Sequence, residues 1–204
     1  KLTLCDILHI HTLKIMYSTL EKFIKTKTNG DAKTIEEICS YFKWVKTKRN
    51  QILLNYDQVC DHYYFINKGC VRLFTIAKDG DESSRYFAFE GNFVTALPSF
   101  INQQIAEEYL QTIEESELLC ISRADFYHLV ASIPQFSKIY TEILELGFIM
   151  AQKRIYGFQG FDALDKVKWV IKYQPQLLLR VSNKMVASYL GISPFTLSRI
   201  KPKL

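Results

Sequence analysis

The twenty residues from Val181 to Ile200 have one economical way to satisfy their backbone and bury their apolar side chains: two short helices set at an angle. Ser182 is placed to cap the first helix, whose inner face is Met185, Val186 and Leu190, with Ala187 small enough for a close crossing. Gly191 falls where a tight inter-helix turn needs positive φ. Ser193 caps the second helix, and Pro194 takes its first position, where the missing N–H costs nothing. Leu197 and Ile200 then point inward, while Thr196, Arg199 and Lys203 fall on another face. A helix presented in this way suits the DNA major groove. Its N-terminus offers N–H groups to a phosphate, Arg199 can reach guanine, and Thr196 can meet a thymine methyl or a phosphate. Lys184, Lys201 and Lys203 suit phosphates better than bases. The candidate DNA contacts are therefore Lys184, Ser193, Thr196, Ser198, Arg199, Lys201 and Lys203. A helical hairpin that merely closes a core would explain the caps and the turn, but not the basic flank.

Charge supports the nucleic-acid reading. The chain carries a net +5, yet from Phe161 to Leu204 eight lysines and arginines face only Asp162 and Asp165. That segment has an excess of six positive charges, and the residues before it net −1. A basic module joined to a neutral partner domain has this distribution. With 204 residues, 48% of them hydrophobic, the chain can build two modest domains. It holds no apolar run near the roughly 18 residues that cross a bilayer. The opening stretch lacks the basic start and cleavage site of a signal peptide, so a cytoplasmic protein without a membrane partner is expected. Residues 1–15 are given no role, because Met16-Tyr17-Ser18 looks like a natural start and what precedes it could be non-native.

Cys5, Cys39, Cys60, Cys70 and Cys120 form no C-x-x-C pair. Their spacing speaks against a disulfide framework, structural zinc or an iron–sulfur cluster, and for reduced thiols packed as small hydrophobes. His9, His11, His62 and His128 show no nucleophile–base grouping, and His9-x-His11 is a weak metal pair. An enzyme is not expected, nor a cofactor.

Periodicity divides the rest. From Leu20 to about Ile52 the pattern begins as helical: Leu20, Phe23 and Ile24, a turn at Asn29-Gly30-Asp31, then Ile35, Ile38, Tyr41 and Phe42, with Thr34 and Glu37 fitting a capping box. From Gln51 to Ser122 short strands alternate with turns. Tyr63 to Ile66 and Cys70 to Ile76 read as a hairpin about Asn67-Lys68-Gly69; Lys78-Asp79-Gly80-Asp81 and Glu90-Gly91-Asn92 are further turns, and Glu108–Ile113 and Glu117–Ile121 further strands. Turns this frequent indicate an antiparallel barrel or jelly roll. Ser122 then caps a short helix with Asp125 in its first turn, and Pro134 opens a long one to about Phe158, with Phe136, Ile139, Tyr140, Ile143, Leu146, Ile149 and Met150 at helical spacing. Phe161 to Tyr173 reads as another helix, stopped before Pro175.

The segment Asn183 to Ile200, N-K-M-V-A-S-Y-L-G-I-S-P-F-T-L-S-R-I, resembles the helix-turn-helix of the Crp/Fnr transcriptional regulators, in the version common in Bacteroidetes. Tyr64 to Leu73 is similar to the family's β-roll, Phe89 to Phe93 to the stretch before its phosphate-binding cassette, and Pro134 to Phe158 to its dimerisation helix. The resemblance implies an α+β fold: a cyclic-nucleotide-binding-like, cupin-like jelly roll (a double-stranded β-helix) at 16–133, a dimerisation helix at 134–160 and a helix-turn-helix domain at 161–204. It further implies a homodimer through residues 134–158 that acts on palindromic double-stranded DNA, an unknown small-molecule effector, and RNA polymerase as a further partner.

The chain departs from the family in two places. Cyclic-AMP-binding members carry Gly-Glu in the cassette and Arg-Ser/Thr about ten residues later. Here those positions are Thr95-Ala96 and the neighbourhood of Glu107, Glu108 and Tyr109, with no arginine. A cyclic phosphate beside two carboxylates would be repelled, so an effector other than cyclic AMP, or none, is expected. Phe93, Thr95, Ala96, Tyr109 and Gln111 are the pocket candidates. In the second helix Phe195 stands where a glutamate is common, Pro202 ends the helix, and the sequence finishes at Leu204, before the wider family's β-wing. The rival reading is an effector-binding or cyclic-nucleotide-responsive sensor module whose helix-turn-helix docks protein rather than DNA.

Overall fold

Two helices precede the strands: α1 (Leu4–Lys27) and α2 (Ala32–Ser40). The computed structural model describes residues 4–203, with side chains from 16 to 203. Leu20 and Ile24 are fully buried, and Phe23 sits edge-on to Phe65 and Phe93. The cap of α2 is Asp31, whose carboxylate accepts from Thr34 N–H at 2.7 Å. Thr34 itself occupies the third helical position, so the expected capping box is displaced by a better acceptor three residues earlier.

Eight strands follow: β1 (Lys43–Thr47), β2 (Ile52–Leu54), β3 (His62–Lys68), β4 (Val71–Ile76), β5 (Glu82–Ala88), β6 (Phe93–Val94), β7 (Tyr109–Thr112) and β8 (Ser116–Ser122). They form two four-stranded antiparallel sheets, ordered β1-β8-β3-β6 and β2-β7-β4-β5, as a jelly roll requires. The first strand lies in a stretch whose periodicity read as helical. Its register is set by β8, from Lys43 opposite Cys120 to Thr47 opposite Ser116. Such distant pairing leaves no local trace.

The expected hairpin about Gly69 is instead a corner. Its arms, β3 and β4, belong to different sheets, and the chain turns between them at φ +107°. A Cβ there would collide with the Ser116 side chain and lie 2.9 Å from Ser116 Cα, so the corner closes directly onto the start of β8. The true hairpin joins β4 to β5 through Lys78-Asp79-Gly80-Asp81, where Gly80 has φ +88° and open space around it.

The interior is aromatic. Tyr63 stacks on Phe126 at 4.9 Å between ring centroids, and Phe65, Phe93 and Phe100 pack around them. The helices α3 (Leu97–Asn102), α4 (Arg123–Ser132) and α5 (Pro134–Gly160) close the roll. Ser122 caps α4 through Asp125 N–H as expected. The first turns of α5 bury Phe136 and Ile139 against the roll, whereas Leu146, Phe148, Ile149, Ile155 and Tyr156 beyond them are exposed. The C-terminal unit is α6 (Ala163–Tyr173), α7 (Pro175–Arg180), α8 (Asn183–Leu190) and α9 (Pro194–Ile200), followed by one 3-10 turn, Lys201–Lys203. Both α3 and α7 are six-residue helices that the pattern did not resolve.

Cys39, Cys60 and Cys70 are buried and, with Cys120, free thiols; burial pushes the Cys39 thiol up to about 12. Cys5, His9 and His11 lie outside the described side chains. Among the described residues no helix is long and apolar enough to cross a membrane, and no group of three His, Cys, Asp or Glu could hold a metal ion.

The two turn glycines separate strain from crowding. Gly80→Ala is expected to lower stability by about 1–2 kcal/mol, the cost of a left-handed backbone for an L-residue. Gly69→Ala is expected to lose at least about 2 kcal/mol more, because the Ser116 backbone must also move. Urea unfolding of the two variants, compared at equal m-value, checks both figures.

Candidate nucleic-acid interface

The two-helix unit forms as its sequence dictates. Ser182 accepts from Met185 N–H at the start of α8, Gly191 ends that helix at φ +62°, and Ser193 accepts from Thr196 N–H at the start of α9. Val186, Ala187, Leu190 and Leu197 are buried, and so is Tyr189, whose ring sits edge-on to Phe87 and Phe158. On the outer side of α9, Ser193, Phe195, Ser198 and Arg199 are exposed, with Lys203 just beyond and Lys184 on α8. The Arg199 guanidinium lies 6.0 Å from the centre of the Phe195 ring, one helical turn away.

Three expected DNA contacts, Ser193, Thr196 and Lys201, are otherwise engaged. Thr196 is half-buried, its hydroxyl 2.8 Å from that of Ser193 within the cap. Lys201 donates to Asn183 Oδ1 at 3.0 Å and to Leu178 O at 3.3 Å, tying the final turn to α7 and α8.

The unit does not stand apart from the roll. Its core of Val167, Val170, Leu177, Val186, Leu190 and Leu197 continues into Cys70, Phe87, Phe89 and Ile113 of the roll. Polar clamps frame this seam. Arg180 of α7 donates to both carboxylate oxygens of Glu90, at 2.7 and 2.8 Å, and also to Glu114. Ser188 of α8 donates to Ser84 Oγ of β5 at 2.9 Å. Arg154 of α5 donates to Arg85 O and to Tyr189 O, and lies over the Tyr189 ring. The sequence marked none of these residues for such a pairing, because Arg180 and Glu90 are 90 positions apart and no local pattern records such a pair.

A cavity of the roll measures about 570 Å³. It is lined by Arg85, Ala96, Leu97, Pro98, Glu107 and Glu108, among others. Of the expected pocket residues only Ala96 lines it. Phe93 is locked among core rings, and Thr95 donates to His62 O at 2.8 Å. Tyr109 and Gln111 share the face of β7 opposite buried Leu110, since strand side chains alternate. There Tyr109 stacks on Phe74 at 5.0 Å, while Gln111 accepts from the buried guanidinium of Arg72 at 2.9 Å. The cassette has no arginine of its own, as its sequence shows, but one arrives from another strand. Arg85, from β5, clasps Glu108 with two hydrogen bonds of 2.8 Å.

Burial alone would raise the Glu90 carboxyl, but hydrogen bonds from Arg180 and Gly69 N–H outweigh it and hold it at about 2. The unfolded carboxyl titrates near 4.5, so this contribution is full above that pH and is lost as pH falls towards 2. Arg180→Ala is therefore expected to destabilise the protein by about 1–2 kcal/mol at pH 7, a figure kept low because the pair is partly solvated. The difference from wild type should shrink steadily between pH 4.5 and 2 in urea titrations.

Residues 44–132 match the family model of the cyclic nucleotide-binding domain. No curated protein sequence matches the chain. Among solved structures it is similar to the c-di-GMP responsive global regulator CLP of Xanthomonas campestris, at TM-score 0.67 and 21% identity over 85% of this chain and 91% of that one. It is similar to FixK2 of Bradyrhizobium japonicum, at TM-score 0.68 and 14% identity over 80% and 84%. It is also similar to a CRP/FNR-family transcriptional regulator of Thermus thermophilus, at TM-score 0.63 and 15% identity over 79% and 85%. A jelly roll that matches the cyclic nucleotide-binding domain, joined through a long helix to a C-terminal helical unit, gives this chain the fold of solved Crp/Fnr-family regulators.

Proposed function

We propose that this protein is a sequence-specific DNA-binding transcriptional regulator that acts as a dimer and whose β-roll senses an effector other than cyclic AMP. The observation that carries the reading is α9: fixed from behind by Leu197 and by its Ser193 cap, it turns Ser198 and Arg199 outward from the most basic part of the chain. A short rigid helix with an exposed arginine and flanking lysines is what major-groove recognition needs. The likeness in fold to solved transcriptional regulators supports it. Lys184 and Lys203 are assigned to phosphates, and Arg199 to a base edge.

Leu146, Ile149 and Tyr156 lie along one side of α5 at spacings of three and seven, exposed in the single chain. Paired with a second copy, this seam would bury them and set two α9 helices on a palindromic site. On the sensor side, Arg85 is the one arginine among the described residues that line the cavity, and Glu108 already pairs with it, so among those residues a cyclic phosphate meets no unpaired cation.

Selection from random DNA should return a palindrome with half-sites about one helical turn apart. Arg199→Ala is expected to weaken binding to that site about tenfold or more, and Lys203→Ala to reduce the salt dependence by about one phosphate contact. A dimer that binds no DNA at low salt would overturn the reading and leave protein docking in its place. Ile149→Glu is expected to give monomers in sedimentation and to lose palindrome binding, while keeping the folded far-ultraviolet spectrum.

A further inference from the structure

The sensor cavity and the reader unit meet at one residue, Arg85. In the β4–β5 ladder Leu73 pairs with Tyr86 and Phe74 with Ser84, so Arg85 is the extra residue of a β-bulge. A bulge frees a residue from the ladder and re-aims its side chain. The Arg85 side chain enters the cavity and clasps Glu108, which is almost buried. Its freed carbonyl accepts from Arg154, which reaches across to Tyr189 O of α8. The preceding residue, Ser84, is fixed to Ser188 of the same helix.

Arg154 is the weak point of this joint. It is half-buried, its hydrogen bonds go to neutral carbonyls, and the rings of Tyr189 and Phe158 cover it. Among the described residues it has no carboxylate partner within ion-pair distance. Burial is the main influence against its charge; Tyr189 favours the charge, and the neighbouring positive charge of Arg85, on whose carbonyl it sits, opposes it. Glu108 is the group that cancels that neighbour.

We propose that the Arg85–Glu108 pair sets the grip between sensor and reader. While Glu108 neutralises Arg85, Arg154 can bridge β5 and α8; when an event in the cavity takes Glu108 out of the pair, the charge of Arg85 turns on Arg154 and loosens α8. The route from cavity to α8 is independent of what α8 and α9 bind, whereas its consequence at DNA rests on the regulator reading above.

The test follows amide exchange of the full chain at neutral pH and low salt, with palindrome affinity measured alongside. Glu108→Gln keeps the size and removes the charge; it should speed exchange across α8 about fivefold or more, a lower bound for a coupled site, and leave β3 and β8 unchanged. Arg85→Gln removes the repelling charge and should not speed α8. The double variant, Glu108→Gln with Arg85→Gln, should return α8 to the wild-type rate, a rescue that loss of packing would not produce. The Glu108→Gln effect should also diminish at 1 M salt, where charge interactions are screened to about 3 Å. Unchanged α8 exchange in Glu108→Gln, or a double variant as fast as that single one, overturns the proposal. If exchange follows the predicted order but no variant binds DNA, the coupling stands and the regulator reading fails.

Discussion

The structure depends on one apolar seam, the outer face of the β4–β5–β7 sheet against α6, α7 and α8. Cys70, Phe87, Phe89 and Ile113 from the roll share a buried cluster with Val170, Leu177, Val186 and Leu190 from the helical unit. The small C-terminal unit therefore borrows part of its core from the roll, which suits a domain of some forty residues that would be marginal alone. The seam also fixes which faces are left over. With α8 lying on β5, the outer side of α9 is left facing solvent.

Arginines and lysines divide the work around that seam. Arg72, Arg154 and Arg180 are drawn inward or between units, where a planar guanidinium can meet carboxylates, amide oxygens and ring faces together. The lysines mostly stay in water, Lys184 and Lys203 among them. A net charge taken from composition cannot distinguish these uses. The basic excess of the last segment includes Arg180, spent on Glu90 and Glu114, and Lys201, which stitches the final turn to α8.

The cavity shows a different limit. Tyr109 and Gln111 were expected to face it, and their alternation was legible, but the sense of that alternation depends on which side of β7 the roll encloses. Leu110 took the interior, so both went to the outer face, where Gln111 serves Arg72. Arg85 could not be foreseen because it acts from a bulge, and a bulge shifts the register without a sequence signature of its own.

What the sequence determined by itself is what short-range chemistry controls. The caps at Ser122, Ser182 and Ser193, the turn at Gly191, Pro194 at the head of α9 and the span of α5 follow from groups a few residues apart, so the local structure of the two-helix unit was legible in the sequence. The tertiary structure alone decided β1, the corner at Gly69, the Arg180 clamp and the cavity lining. Each of these joins groups tens of residues apart, and their contact is fixed by the closing of the roll rather than by any neighbour in the chain.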